Sequence, residues 1–524
     1  MNSIKLLLIN PPVINVIEPW SDEPKYVRTA LAHLAGYLRE NIEVEIKVVD
    51  AKYQRLTFKE VIKIIDAFSP DIIGLTAFTS EIKPAAYLAA LTKKLNPNIL
   101  TVIGGVHVST LPKETLQEFE FFDIGVVGEG EITLKEIIEF KQGLINLNQI
   151  KGLVYRNELD ELIQTPPRPN IIDQEGLPLP AWDLLPKAEM YYIQTEKGCP
   201  FNCQFCVNHN GRVARKRSPK KVIEEFEFLI DFAAPEFINI GDEIFTVDMP
   251  RAYQIMELMI EKNIHNKIKW DVQTHVKYID EPLMKQFKRA KIFELHMGVE
   301  AGDEISLKNL GKGNTKETIM RAFDLARKEK VKTGAFFILG HPNETIKTMQ
   351  NTIDFAAEVN PDVPMFSIMV AYPGTEIARL AAQKKQGFAG ISKNWDDYRF
   401  RIGGSIWYKN FNKQQLEWML IKGYLKVFAK NYRLFDFINF AWKYRTAAAT
   451  LLKKVLTGKD VITEYSPPPA DYNKLLNTKF ITSDESMVNS KTVFSAATNQ
   501  EMKDVKLSHP NLVKEQKYRV SSGV

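Results

Sequence analysis

Cysteine is nearly absent from this chain: three residues in 524. That scarcity excludes a disulfide framework and excludes thiols as routine core filler. Long apolar runs are missing too; none reaches the roughly 18 residues of a membrane span. Charge of one sign does not dominate. The net charge of +5 is small for this length, so nucleic-acid binding is not indicated. The opening Met1–Pro12 has too short an apolar stretch for a secretory signal, and Asn10 and two prolines end it, so it reads as a first buried strand. With 45% hydrophobic and 25% charged residues, the composition is that of a globular protein long enough for two or three domains.

The cysteines that do occur are concentrated. All three lie in Gly198-Cys199-Pro-Phe-Asn-Cys203-Gln-Phe205-Cys206, spaced Cys-x-x-x-Cys-x-x-Cys. Soft thiolates this close suit an iron–sulfur cluster, whose irons are held by cysteine sulfur. Three ligands on a cubane leave one iron open to a substrate or cofactor. The alternative is a zinc site with His209 as the nearest fourth ligand, although structural zinc usually uses paired Cys-x-x-Cys units. An exposed cluster of thiolates requires a reducing compartment, which places the protein in the cytoplasm.

Together with the aromatic Phe205 before the last cysteine, this stretch resembles the radical S-adenosylmethionine superfamily. The resemblance implies a four-iron four-sulfur cluster on Cys199, Cys203 and Cys206. It implies S-adenosyl-L-methionine on the open iron, Phe205 near its adenine, and reductive cleavage to a 5′-deoxyadenosyl radical.

Upstream, residues 1 to 145 alternate strand and helix five times. Apolar runs at Leu6–Ile9, Val44–Val49, Asp71–Thr76, Leu100–Ile103 and Ile124–Val127 read as buried parallel strands. Arg28–Arg39 and the stretch around Phe58, Val61, Ile62 and Ile65 have helical spacing. This predicts a doubly wound α/β domain that binds ligand beyond the carboxyl ends of its strands. Gly104-Gly105 and Gly128-Glu129-Gly130-Glu131 fall at such ends, where glycine allows close backbone approach. Gly128-x-Gly130 lacks the third glycine of a dinucleotide fingerprint. With Pro11-Pro12 and Thr76-Ala-Phe-Thr79, these loops resemble the cobalamin-binding domain that precedes many radical enzymes. The resemblance makes Thr76, Gly104, Gly105, Gly128, Glu129 and Gly130 candidate cobalamin contacts. The Val13–Pro24 loop has no histidine, and His33 lies within a helix, about 200° around from Leu31. No histidine is therefore expected beneath the cobalt. His107 reads as a loop histidine.

Residues 146–190 read as a proline-punctuated linker with a hairpin at 153–164. Strands expected at Tyr191–Thr195, Phe237–Ile240, Lys269–Val272, Glu294–Val299, Gly334–Leu339 and Phe366–Val370 alternate with helices over residues 191–380. They match the partial (β/α)6 TIM-type barrel of the radical superfamily, whose polar groups lie in the loops after the strands. The resemblance marks Asp242, Glu243 and Glu300 for S-adenosylmethionine, against the plainer reading of helix-capping acids and a salt-bridge partner. His275 stands where relatives often have arginine, and a neutral imidazole does not replace that charge. Tyr372 is either substrate-facing or packing. Residues 381–460 read as a helical cap, with an apolar stretch from Phe435 suited to packing, a membrane surface or an apolar substrate. Residues 461–524 read as a disordered tail.

The resemblance implies an enzyme that methylates an unactivated carbon of a small-molecule or lipid-like substrate, with an external electron donor such as flavodoxin or ferredoxin. The alternatives are a cobalamin-dependent cyclase or rearrangement enzyme without net methyl transfer, and a non-catalytic cobalamin sensor. The intact cysteine triad argues against a sensor, which has no need of an open iron. The absence of further cysteines argues against a methylthiolating enzyme with a second cluster.

Overall fold

The computed structural model describes residues 3–12, 25–399, 404–443 and 445. Five strands of the N-terminal half are β1 (Ile4–Asn10), β2 (Val44–Asp50), β3 (Ile72–Thr76), β4 (Leu100–Gly104) and β5 (Ile124–Val126). They pair in parallel in the order β2-β1-β3-β4-β5, which reverses direction between β1 and β3. Such a switch point is where an open α/β sheet leaves a crevice for ligand. Alternation along β1 explains the two layers. Leu6 and Leu8 face α1 (Thr29–Asn41) and α6 (Glu131–Lys141). Leu7 and Ile9 face α2 (Phe58–Phe68), α3 (Ile82–Leu95), α4 (Val106–Thr110) and α5 (Pro112–Glu118).

The hairpin expected in the linker belongs to this sheet. Strands β6 (Leu153–Arg156) and β7 (Leu162–Gln164) add antiparallel to β5 and complete seven strands. The correction has a simple cause: β5 is an edge with unpaired backbone groups, and Val154 buries its side chain in the same core.

Six parallel strands form the second sheet in sequential order: β8 (Met190–Ile193), β11 (Phe237–Ile240), β12 (Lys269–Thr274), β13 (Glu294–Glu300), β14 (Thr333–Leu339) and β15 (Val363–Ile368). Between β8 and β11, the short pair β9 (Glu196–Lys197) and β10 (Arg215–Lys216) flanks the cysteine loop. Helices α7 (Pro219–Ala233), α8 (Met249–Glu261), α9 (Glu281–Arg289), α10 (Glu304–Asn309), α11 (Lys316–Glu329), α12 (Ile346–Val359) and α13 (Glu376–Ala382) follow the strands. Ser218 accepts from the Lys221 amide at 3.2 Å and caps α7 ahead of Pro219. This is the expected open (β/α)6 arrangement.

The C-terminal region is not purely helical. An antiparallel pair, β16 (Phe388–Ile391) and β17 (Ile406–Tyr408), precedes α14 (Lys413–Lys430) and α15 (Leu434–Lys443). The expected tail at 461–524 and the Val13–Pro24 loop lie outside the described residues.

The two α/β units share one apolar core. Leu31, Ala35 and Leu38 of α1 pack in the same cluster as Trp182, Tyr191 and Phe226. The proline-rich segment runs across α1, where Gly36 admits it: a Cβ there would lie 2.5 Å from the Leu179 carbonyl. The Ala181 amide donates to Ala32 at 2.9 Å, and Arg168 reaches Thr133 at 2.8 Å and pairs with Glu136.

Candidate active site

The cysteine loop is tied down at both ends. Gly198 has φ +101°, and a Cβ would lie 2.3 Å from the Val213 carbonyl, so the turn into Cys199 needs glycine. The Cys199 amide donates to Gly211 at 3.1 Å, and Asn208 donates to the Cys199 carbonyl at 2.8 Å. Cys199 and Cys203 are half-buried and Cys206 is exposed; all three are free thiols. Burial pushes each thiol up, Cys206 to about 11. Deprotonating all three therefore calls for strong positive charge at the loop, which iron would supply. Among the described residues, no trio of ligating side chains converges tightly enough to grip a single ion. A cubane spreads its cysteines over separate irons and does not require that convergence.

Phe205 packs its ring against the barrel core. Phe201, not singled out from the sequence, stacks on His275 at 4.5 Å and 10°, with Lys277 Nζ 4.2 Å from its ring centroid. His275 Nδ1 accepts from the Lys277 amide, which leaves Nε2–H to donate to the Lys312 carbonyl at 3.0 Å. Burial, then Lys312, pushes His275 down to about 4. It is neutral and supports Phe201; it supplies no arginine-like charge.

Asp242 and Glu243, adjacent in sequence, differ in role. Asp242 is fully buried, and its carboxylate accepts from the Thr195 amide at 2.6 Å, the Glu196 amide at 3.0 Å and the Thr195 hydroxyl. It anchors the strand end leading into the cysteine loop. Glu243 accepts from Asn210 at 2.7 Å through Oε1, while its buried Oε2 has no partner among the described residues. An unpaired buried carboxylate oxygen is costly unless a ligand donor meets it. Glu300 sits at a β-bulge with φ +68°, uncommon for a residue with a side chain, and pairs with Lys312 at 2.5 Å. The salt-bridge reading is therefore the one the structure displays. Tyr372 is half-buried in the loop after β15, and burial pushes its hydroxyl up to about 12.

At the facing sheet, Gly105 has φ +105° and its Cβ position lies 2.7 Å from the Ala77 carbonyl, with Thr76 Oγ1 at 3.2 Å. A Cβ on Gly104 would meet only the Leu75 carbonyl, at an uncrowded 3.9 Å, and among the described residues nothing lies within 4 Å of one on Gly128. These two positions leave room for a broad, flat group. Gly130 and Glu129 meet other parts of the protein. Gly130 packs on Leu34, 3.1 Å from its Cβ position. Glu129 accepts from Arg215 at 2.7 and 2.9 Å and from the Ile171 amide at 2.6 Å, and lies 3.6 Å from Lys197. Glu131 pairs with Lys197 at 3.1 Å. Burial raises the Glu131 carboxyl, but the Lys197 ammonium outweighs it and holds it below the usual range.

This buried cluster fastens the loop after β5 to the strands flanking the cysteine loop. A second line of contact runs across the other side. Thr110 lies 3.3 Å from the Gly374 Cβ position, Trp395 donates to Glu118 at 2.9 Å, and Lys83 pairs with Asp396 at 2.8 Å. The open carboxyl ends of the first sheet thus meet the cysteine side of the barrel. His33 and His107 each bury a ring nitrogen that has no hydrogen-bond partner among the described residues. His33 is enclosed near Lys197, Glu131 and Arg217, and His107, in α4 and not a loop, meets the Trp395 ring at 4.8 Å. Lys197 and Arg215 escaped notice in the sequence because their partners lie more than sixty residues upstream.

Comparison with known proteins matches both halves of the chain. The Radical SAM superfamily model matches residues 193–356, and the B12 binding domain model matches residues 24–138. An uncharacterized methyltransferase of Pyrococcus horikoshii is 32% identical over 444 residues, which covers 82% of this chain and 94% of that protein. An anaerobic magnesium-protoporphyrin IX monomethyl ester cyclase of Rubrivivax gelatinosus is 31% identical over 373 residues, covering 68% and 67%. Among solved structures, the radical S-adenosylmethionine methyltransferase TsrM of Kitasatospora setae, with cobalamin and a four-iron four-sulfur cluster bound, aligns with a TM-score of 0.64 at 19% identity, covering 82% and 89%. The cobalamin-dependent radical enzyme OxsB, with aqua-cobalamin and S-adenosylmethionine bound, aligns with a TM-score of 0.66 at 18% identity, covering 87% and 71%. At these identities the structural likeness is one of fold.

Proposed function

We propose a methyl-transfer function from one premise: the chain belongs to the radical S-adenosylmethionine enzymes that carry a B12-binding domain. Its reaction is the methylation of an unactivated carbon on a small-molecule or lipid-like substrate. The observation that carries this reading is the apposition of the two crevices, held by Glu129 and Glu131 against Lys197 and Arg215. Transfer between two cofactors requires near contact of the reacting atoms, about 3 to 3.5 Å.

When bound, the cluster with S-adenosylmethionine supplies a 5′-deoxyadenosyl radical, and cobalamin supplies a transferable methyl group. Cys199, Cys203 and Cys206 would hold the cluster. Glu243 Oε2 would accept from the ammonium of S-adenosylmethionine, and Phe205 would border its adenine. Gly128, and Gly104 paired with Thr76 on the neighbouring strand, would leave the corrin ring its space. The shared apolar core excludes water and fixes the approach of one crevice to the other. The electron comes from a reduced carrier such as flavodoxin or ferredoxin, in a reducing compartment that we take to be the cytoplasm. Ring closure without net methyl transfer is the second reading, supported by the 31% identity to the cyclase. The fuller coverage of the methyltransferase, 94% against 67%, favours methylation.

The test is anaerobic turnover of the reconstituted enzyme with S-adenosylmethionine bearing a deuterated methyl group, added cobalamin, a strong reductant and cell metabolites. Mass spectrometry should find 5′-deoxyadenosine and a product carrying the label. Cys203→Ala should lose the cluster and all 5′-deoxyadenosine. Cleavage retained in that variant would overturn the radical assignment; an unlabelled, dehydrogenated or cyclised product would transfer the assignment to ring closure.

A further inference from the structure

Helix α15 has two apolar faces, and folding accounts for only one. On the inner face, Phe437 lies 5.7 Å from the Phe428 ring, and Phe440 lies 5.4 Å from Phe428 and 5.0 Å from Tyr424. The Tyr424 hydroxyl accepts from the Phe366 amide at 3.1 Å, which fastens α14 to the edge strand β15. On the outer face, Leu434, Phe435, Ile438 and Trp442 are 64%, 82%, 52% and 71% exposed. At about 100° per residue these four fall within an arc of about 100°. The arc also holds Arg445, whose guanidinium lies 5.0 Å from the Trp442 ring centroid. Helix α14 repeats the arrangement: Trp418 and Leu425 are exposed two turns apart, with exposed Lys422 between them on the same stripe.

A helix already packed through its inner aromatics gains nothing in water from a second apolar face. Contiguous exposed patches of this kind mark interaction surfaces. The charge nearby identifies the partner. Residues 413–459 contain ten Lys and Arg against Glu417 and Asp436 alone, whereas the whole chain has a net charge of only +5. Residues 413–459 thus carry a net charge of +8 and the rest of the chain −3, although Lys426 and Lys430 are paired with Asp354 and Glu358 outside the segment. Large apolar and aromatic side chains outward, flanked by cations, are the pattern of a helix lying in a membrane interface. The cations complement anionic headgroups. A second copy of this chain is a poorer match, since a symmetric pair would set like charges against each other. No described helix is long and apolar enough to cross a membrane, so the contact is with its surface.

We propose that the outer face of α14 and α15 docks on an anionic lipid bilayer, with Phe435, Ile438 and Trp442 in the headgroup–acyl boundary and Lys422 and Arg445 against the headgroups. This does not rest on the methyl-transfer reading. The test is anaerobic flotation of the full chain with phosphatidylcholine vesicles, with and without phosphatidylglycerol. The anionic vesicles should bind about tenfold more protein, and added salt should weaken the binding. The F435E/W442E double variant should lower partition about tenfold or more, and Lys422→Glu severalfold, with thermal melting unchanged because all three side chains are exposed. Cleavage of S-adenosylmethionine should be unaffected by either, so a failure here is distinct from a failure of the radical assignment. Absence of binding, binding indifferent to these variants, or a concentration-dependent dimer that the double variant dissociates would each overturn the proposal.

Discussion

Lys197→Met isolates the contact that holds the two crevices together. The side chains of Lys197 and Glu131 are 10% and 6% exposed, and their charges are 3.1 Å apart. At an effective dielectric near 20, that distance corresponds to about 5 kcal/mol of attraction, from which lysine desolvation subtracts. Methionine fills similar volume but leaves Glu131 buried without its cation, while Glu129 keeps Arg215 at 2.7 Å. Breaking one side of a buried pair costs about 3 kcal/mol or more. The melting temperature should therefore fall by several degrees at neutral pH. The functional effect should be selective. Cysteine ligation and Glu243 are untouched, so 5′-deoxyadenosine still forms, but the yield of methylated product per 5′-deoxyadenosine drops. The assay is anaerobic thermal melting alongside quantitation of both products. A melting temperature unchanged within a degree, with an unchanged product ratio, would refute the argument that this cluster sets the pose.

Two further outcomes follow from the histidines. Burial, then Lys197, pushes His33 down to about 3. Its folded value lies below its unfolded value, so the stability it contributes is complete above about pH 6.5 and is lost as pH falls toward 3. The melting temperature should decline across that window, and His33→Gln should reduce the slope; an unaltered slope would show that His33 is not enclosed as described. With cob(II)alamin bound, electron paramagnetic resonance should show no nitrogen splitting from a protein histidine. Splitting that vanishes in His33→Ala would reverse that assignment.

The sequence by itself determined the elements and the chemistry at their ends. Period-two and unbroken apolar runs specify strands through local packing, so the eleven parallel strands of the two sheets were legible. The cysteine triad was legible because all its members lie on one loop. What only the tertiary structure decided concerns partners distant in the chain. The hairpin at 153–164 looks the same whether free or paired; only the unpaired edge of β5 assigns it to the first sheet. Asp242 and Glu243 are chemically alike, and only the fold turns one to the Thr195 backbone and leaves the other with an unpartnered oxygen. Glu129 sits in a glycine loop that reads as a ligand cradle, yet Arg215, 86 residues away, takes its carboxylate. Local sequence sets backbone conformation through short-range sterics and apolar periodicity. Which charge meets which across a domain interface is fixed by three-dimensional proximity, and no local pattern encodes it.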